Sequence, residues 1–428
     1  MKVFLDMVGC RLNQAEIEKL SLDLVREGHE VCTDPVDAEL IVVNTCCVTA
    51  KAAADSRKMV RHYRRETSAQ VLVTGCWTSV FGQEASALTL PELVVPNQLK
   101  GEIPDLIGRN FVAGRDVQRK PELGHRSRTR AFVKVQDGCN NRCSYCLTRV
   151  ARGASTSVPQ DEVIARVQDL CQMGVKEIVL TGVQLGSWGR DLERKQDLGI
   201  LIKSILEETD IPRVRLSSIE PWDVNGELLE CWQNPRVCRH LHIPLQSGSD
   251  GVLQSMRRPC SPVAFLRVLD AVQQADPLIS VTTDIIVGFP GETESDFDQT
   301  LALVRQAGFS GGHVFRFSPM PGTAAAELPG QVPSLVKDER AKVLALEFAQ
   351  AKLAYGRSKI GQDVEVLWET GKPVGQTTRY SGLTSDELRA SILSGAHLQN
   401  TLTRARVQSV DEQGGLLVTF DPLSKEQA

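Results

Sequence analysis

The chain reads as an α/β multidomain protein: a small doubly wound parallel sheet, then a partial (β/α)₆ barrel, then a small all-β barrel. Three observations predict this. Short apolar runs alternate with helical periodicity over the first hundred residues. A longer alternation of the same kind begins near residue 131, and beyond residue 358 the pattern changes to strands and turns. The length agrees, since 428 residues is nearly three times a typical domain of about 150.

In order, Val3-Phe4-Leu5 forms a strand, and Asn13 to Glu27 a helix with Ile17, Leu20, Leu24 and Val25 on one side. Leu40-Ile41-Val42-Val43 is a continuous apolar run of the kind a buried parallel strand shows. Residues 50–66 are helical, and Val71-Leu72-Val73 is a third strand, giving the β-α-β-α-β order of a doubly wound sheet. From about 108 to 130 the pattern dissolves into Gly, Pro, Arg and His, as in a linker. Strands are then expected near 131–136, 176–181, 213–217, 238–243, 281–287 and 312–317, with helices around 160–173, 197–208, 262–275 and 293–306. Six such units are too few for an eight-fold barrel of roughly 250 residues, so an open, partial barrel fits. A Pro/Gly-rich break at 319–333 precedes an amphipathic helix at 336–355. Strands at 364–368, 376–380, 401–410 and 416–420, with Gly414-Gly415 between the last two, then make a small barrel. The expected divisions are 1–110, a linker at 111–130, 131–356 and 357–422.

Apolar residues at 42% and charged residues at 24% exclude a disordered, collagen-like or coiled-coil chain. No apolar run approaches the roughly 18 residues of a membrane helix, and the start lacks a secretory signal. A soluble, cytoplasmic protein without membrane association is expected. The 12 cysteines are too sparse for a disulfide scaffold; in a reducing compartment they read as metal ligands or catalytic thiols, without disulfides. Net charge is −4, so the whole chain gives no nucleic-acid signal. Two basic segments do: 51–65, with Lys51, Arg57, Lys58, Arg61, Arg64 and Arg65, and 109–130, with Arg109, Arg115, Arg119, Lys120, Arg126, Arg128 and Arg130. Each reads either as a solvated face or linker or as a grip on a polyanion.

Cysteine spacing is the strongest local signal. Cys139, Cys143 and Cys146 form a C-x₃-C-x₂-C run directly after a strand. A loop this tight wraps three thiolates around one corner of an iron–sulfur cube and leaves one iron open to a substrate or cofactor. Structural zinc prefers paired C-x₂-C units, and no second pair follows. Cys10, Cys46 and Cys76 are dispersed, but each stands just past the end of one of the three amino-terminal strands, on the sheet edge where ligands gather. On spacing alone they are either converging ligands or buried apolar cysteines. Cys47, one residue on from Cys46, points the other way along an extended segment. Cys32, Cys171, Cys231, Cys238 and Cys260 show no ligand spacing.

These residues resemble a known family. Cys139-x₃-Cys143-x₂-Cys146, with Tyr145 before the last cysteine, resembles the radical S-adenosylmethionine (SAM) signature. With Gly9-Cys10-Arg-Leu-Asn13-Gln-Ala-Glu16, Asn44-Thr45-Cys46-Cys47-Val48-Thr49 and Gly75-Cys76, it resembles the radical SAM methylthiotransferases over essentially the whole chain. The stretches Gln136–Cys143, Leu180–Gly186 and His240–Gly248 are most similar to the branch acting on threonylcarbamoyl-adenosine at position 37 of tRNA. Asp284 to Thr293 is shared more widely, and Leu147-Thr148 departs from the family's usual Ile-Pro.

The resemblance implies a radical SAM partial barrel, a carboxy-terminal TRAM module that binds RNA, and a transferase that replaces a C–H of a purine by a methylthio group. It implies two [4Fe–4S] clusters, on Cys139, Cys143 and Cys146 and on Cys10, Cys46 (rather than Cys47) and Cys76. It also implies SAM, bound near Tyr145, Thr181 and Gly182 and cleaved to a deoxyadenosyl radical. No general acid or base is assigned, and Arg152 faces SAM, RNA phosphate or a carboxylate. The partners implied are the tRNA anticodon stem-loop, a reductase such as flavodoxin or ferredoxin, and a sulfur donor. Isopentenyl-adenosine tRNA, a ribosomal-protein aspartate, and a non-catalytic iron–sulfur RNA-binding sensor are the competing readings.

Overall fold

A computed structural model of the chain describes residues 1–110 and 129–420. Most of the expected linker and of the second basic segment, 111–128, lies outside the described residues.

The first sheet holds β1 (Lys2–Met7), β2 (Glu30–Val31), β3 (Leu40–Thr45), β4 (Gln70–Gly75) and β5 (Val94–Pro96). Their order is β2-β1-β3-β4-β5 and every pairing is parallel. Strand alternation explains why helices cover both faces. Val3, Leu5, Leu40, Val42 and Leu72 pack with Ile17, Leu20 and Leu24 of the helix Arg11–Arg26 and with Ile103 and Ile107. Phe4, Ile41, Val43, Val71 and Val73 pack on the other side with Val60 and Tyr63 of the helix Ala50–Glu66. The three expected strands are the inner ones. β2 and β5 are edge strands of two and three residues, too short to show a period.

The second part places β6 (Arg130–Lys134), β9 (Glu177–Thr181), β10 (Arg213–Leu216), β11 (His240–His242), β12 (Ser280–Val287) and β13 (Gly311–Arg316) at the six expected positions. The sets β10-β9-β6 and β11-β12-β13 are parallel. Parallel bridges Val214↔Val237 and Ser218↔His242 join them into one curved, open array. The short pair β7 (Gln136–Asp137) and β8 (Thr156–Ser157) brackets the three-cysteine loop. Helices Gln160–Gln172, Leu198–Glu208, Pro262–Ala275 and Glu294–Gln306 lie where the sequence predicts them.

After the helix Ser334–Ser358 come β14 (Asp363–Val374), β15 (Thr377–Thr384), β16 (Arg389–Ser394), β17 (Leu402–Val410) and β18 (Leu416–Thr419). They close as β14-β15-β16-β18-β17, with β14 pairing β17. β16 is absent from the sequence reading because Arg-Ala-Ser-Ile-Leu-Ser is short and half polar, yet without it the barrel does not close.

This barrel is docked, not tethered. Its β15–β16 turn seats against the amino-terminal ends of the (β/α)₆ strands. Arg215 donates to the Ser385 and Thr384 carbonyls at 3.1 and 2.9 Å, and Arg213 to the Leu383 carbonyl at 3.2 Å. Ser280 Oγ donates to the Asp386 carbonyl at 2.9 Å. Arg215 also meets Glu177 at 2.8 Å and Glu387 at 2.7 Å, and Lys359 meets Asp386 at 2.8 Å. No helix among the described residues is long and apolar enough to cross a membrane.

The seam is acid-labile by construction. Burial works to raise the carboxyls of Glu177, Glu387 and Asp386, but Arg215 and Lys359 outweigh it and hold all three below their ordinary values. That contribution is present above the unfolded pKa of about 4 and is lost as pH falls. Burial pushes the His240 imidazole down to about 3, whereas the unfolded side chain takes its proton near 6.5, so this term fades as pH drops below about 6.5. All four groups have the same sign. Calorimetry should show the unfolding temperature falling from about pH 6.5 to pH 4. Glu387→Gln should flatten the lower part of that fall; a flat wild-type profile would contradict the assignment.

Candidate active site

The loops after β1, β3 and β4 bring Cys10, Cys46 and Cys76 to one edge of the first sheet, at the switch point where strand order reverses between β1 and β3. Two glycines permit the approach. A Cβ at Gly9, whose φ is +111°, would lie 2.5 Å from Cys46 Cβ and 2.8 Å from its Sγ. A Cβ at Gly75, φ +106°, would lie 2.3 Å from the Thr45 carbonyl oxygen. Only glycine allows both the left-handed backbone and this contact. Cys10 and Cys76 each act electrostatically on Cys46. Cys47 packs instead within the apolar cluster of Phe4, Ile41, Val43 and Trp77, with Cys76 beside it. All 12 cysteines are free thiols.

The second set lies on the loop between β7 and the helix Thr148–Arg152. Its neck is closed by the Cys139 N–H donating to the Gly153 carbonyl at 3.1 Å. Backbone N–H groups of Asn141 and Thr148 donate to the sulfurs of Cys139 and Cys146, both at 3.4 Å, an arrangement that suits thiolates. Cys143 and Cys146 act electrostatically on Cys139. Gln136 braces the loop. Its amide donates to the carbonyls of Asp137 (2.7 Å) and Gly138 (2.9 Å) and to Ser155 Oγ (2.9 Å), and its oxygen accepts from the Gln184 N–H at 2.8 Å.

Burial pushes the thiols of Cys46 and Cys139 up to about 12 and 11, and raises Cys76 and Cys143 as well. Left alone they stay protonated; a bound metal cluster supplies the positive charge that deprotonates such ligands. Among the described residues no group of three His, Cys, Asp or Glu side chains is gathered around the space of a single metal ion. Three cysteines on one loop, with backbone N–H groups donating to two of their sulfurs, fit an iron–sulfur cluster by the chemistry of the donor set.

Between the two sets stands a buried charge network that the sequence did not announce. Arg152 is 7% exposed. It donates through Nε to Cys76 Sγ at 3.1 Å, and through its terminal nitrogens to Glu16 (2.9 Å), Asp137 (3.0 Å) and Asn13 Oδ1 (2.7 Å). Glu16 also pairs with Lys100 at 2.5 Å and Lys134 at 3.2 Å. Burial works against ionising the Glu16 carboxyl, but Lys100, Arg152 and Lys134 hold it well below the usual range. Asn13 and Glu16 fall in the stretch Gly9–Glu16, where the sequence alone gives neither a role, and Lys100 carries no sequence signal.

Tyr145 lies in the aromatic cluster of Phe289 and Phe317, edge-on to Phe289 at 6.5 Å between ring centroids. Thr181 is buried at the end of β9 and accepts from the Val135 N–H at 3.0 Å. At Gly182 a Cβ would meet Gln136 Oε1 at 2.8 Å, so the space there belongs to the brace. Inside the barrel, the face of β12 opposite its core residues carries Thr282, Asp284 and Ile286. Thr282 Oγ1 bridges His240 Nε2 and His242 Nδ1 at 2.9 Å each, and His242 Nε2 meets Asp284 at 3.2 Å. Asp284 Oδ1 has no hydrogen-bond partner among the described residues. The exposed His313 and Phe315 share this face from β13.

An open parallel barrel with a three-cysteine loop after its first strand defines the radical SAM class. The family described as the radical SAM superfamily matches residues 133–304, and an uncharacterized protein family, UPF0004, matches residues 2–95. The threonylcarbamoyladenosine tRNA methylthiotransferase MtaB of Thermotoga maritima is 39% identical over 86% of each chain. Its namesake in Chlamydia pneumoniae is 33% identical over 95% of each. The tRNA-2-methylthio-N(6)-dimethylallyladenosine synthase of Cereibacter sphaeroides is 33% identical over 88% of this chain and 89% of its own. Among solved structures, a radical S-adenosylmethionine methyltransferase, TsrM, of Kitasatospora setae shares the fold, with a TM-score of 0.58 at 14% identity over 76% of this chain and 75% of that one. The chain belongs to the radical SAM methylthiotransferase family.

Glu16→Gln leaves Lys100 without its carboxylate and Arg152 and Lys134 with Asp137 as their one remaining carboxylate among the described residues. Removing one side of a buried ion network costs roughly 3–5 kcal/mol. Denaturant unfolding should show a loss of that size, and limited proteolysis should cut between the first sheet and the barrel. Wild-type stability would mean the network is idle.

Proposed function

We propose that the chain is a tRNA methylthiotransferase that converts N6-threonylcarbamoyladenosine at position 37 to its 2-methylthio derivative. One observation carries the reading: three sheet-edge cysteines face, across Arg152, a three-cysteine radical SAM loop. The names of the relatives support both the chemistry and the branch.

The division of labour follows from the fold. Cys139, Cys143 and Cys146 hold one [4Fe–4S] cluster, and Cys10, Cys46 and Cys76 hold the second. With SAM these cofactors supply the radical and sulfur chemistry that no side chain provides. The protein's share is placement: Gln136 fixes the loop, Gly9 and Gly75 let the sheet edge close, and Tyr145, Thr181 and Gly182 mark the end of the barrel where SAM is held. The lumen face with His242, Asp284, His313 and Phe315 receives the target base by stacking and edge contacts. We divide the chain as 1–110 for the sheet domain, 131–356 for the radical SAM core and 357–422 for a TRAM module, with 111–130 between. A reductase such as flavodoxin or ferredoxin and a sulfur donor complete the cycle, in the cytoplasm where tRNA is.

RNA is gripped through phosphates. On the helix Ala50–Glu66, Lys51, Lys58 and Arg61 are exposed and lack an ion pair among the described residues. Arg57 pairs with Glu84 and Arg65 with Glu66. Affinity for an anticodon stem-loop should fall steeply with added salt, as fluorescence anisotropy would show; a flat response removes phosphate contacts from the reading.

Nucleoside mass spectrometry of tRNA from a host lacking its own methylthiotransferases tests the reaction. Expression should produce the 2-methylthio derivative of threonylcarbamoyladenosine. A methylthio-isopentenyl product would overturn the branch, and unchanged tRNA the substrate. Cys46→Ala should abolish methylthiolation while SAM cleavage continues; equal loss of both would refute separate roles for the two sets.

A further inference from the structure

Arg152 contacts one cysteine set and is joined through its backbone to the loop that carries the other. Its backbone belongs to the neck of the radical SAM loop, since the carbonyl of the next residue, Gly153, accepts from Cys139 N–H. Its side chain leaves that loop and places Nε 3.1 Å from the sulfur of Cys76 in the other domain. The guanidinium is held in that pose by three acceptors: Glu16, Asp137 and Asn13 Oδ1. Arg152, Lys100 and Lys134 set three cations against the two carboxylates of Glu16 and Asp137, so the pocket behind Cys76 is net positive. Among the described residues Lys134 pairs with the carboxylates of Glu16 and Asp137 and touches no cysteine.

We infer that Arg152 is a positioning residue that sets the reduction potential of the sheet-domain cluster by donating a charged hydrogen bond to its Cys76 ligand, while tying that ligand to the radical SAM loop. The inference rests on the proposed ligand set Cys10, Cys46 and Cys76. The physical basis is general. Reduction adds negative charge to a cluster, and hydrogen bonds to its sulfurs together with local net charge are levers that tune its potential. A donor aimed at a ligand sulfur from a net positive pocket favours the reduced form. The planar guanidinium serves four acceptors at fixed angles, which a lysine cannot do. None of the described bonds of Arg152 reaches Cys139, Cys143 or Cys146, so the effect is confined to one cluster.

The test is an anaerobic redox titration of the full-length, iron-loaded protein followed by electron paramagnetic resonance. The sheet-domain signal is identified as the one that Cys46→Ala removes. Arg152→Met should shift that signal to more negative potential by at least a tenfold change in its reduction equilibrium, about 59 mV for one electron, and leave the other signal in place. Arg152→Lys should shift it in the same direction by less. Lys134→Met removes one cation of the pocket but keeps the donor to Cys76, and should shift the sheet-domain signal by clearly less than Arg152→Met while leaving the other signal in place. An unmoved sheet-domain midpoint in both Arg152 variants, an equal shift of both clusters, or the same shift in Lys134→Met would overturn the inference. If Arg152→Met does not load iron, Arg152→Lys alone decides, and an unmoved midpoint there rejects it. Should Cys46→Ala keep both signals, the ligand set itself fails, which is a separate result.

Discussion

A single buried carboxylate, Glu16, holds the two halves of the catalytic centre together. It takes Lys100 from its own domain and Lys134 and Arg152 from the barrel. Buried ion networks add little net stability, because desolvation offsets most of the Coulomb gain. What they impose is geometry: few arrangements satisfy three cations and two carboxylates without water. Two cofactors on separate domains need that kind of constraint, since an apolar interface tolerates sliding and a charge network does not.

The carboxyl-terminal barrel is held by the same logic at the opposite end. Glu177 and Arg215 are fully shielded from solvent, and Arg215 extends to the β15–β16 turn. The turn's carbonyls take the arginine donors that the barrel strands leave unsatisfied at their starts. The carboxyl-terminal barrel is thereby part of the floor of the (β/α)₆ array.

Most of the architecture was legible because its signals are periodic. Six barrel strands and four of their helices follow from apolar runs and helical periodicity, and the structure adds a capping box of Thr293 and Asp296 at the start of one helix. β2, β5 and β16 were not legible: they are short or half polar, and tertiary pairing alone makes them strands. In the site, cysteine spacing was readable because chemistry fixes it. The convergence of Cys10, Cys46 and Cys76 needed the strand order, which puts β1 beside β3 although β2 intervenes in sequence. Arg152 stayed ambiguous because its partners lie far away in the chain, Cys76 being 76 residues distant. Lys100 is the extreme case: an ordinary lysine until folding buries it against Glu16.

The packing also decides where the lumen opens. The floor is occupied by residues 383–387. The opposite end faces the sheet domain through Arg152. On the β6 side, the helix Arg11–Arg26 covers the edge: Ala15 packs on Phe132 and Val179, and Glu18 accepts from the Phe132 N–H at 3.1 Å. The remaining edge is β13, which among the described residues pairs with β12 alone. Between it and the helix Ser334–Ser358 runs a cavity of about 720 Å³ lined by His313, Phe315, Lys342 and Lys352, with Arg316 paired to Asp338. The three other approaches to the lumen are closed by the same contacts that hold the first sheet, the (β/α)₆ array and the closing barrel together.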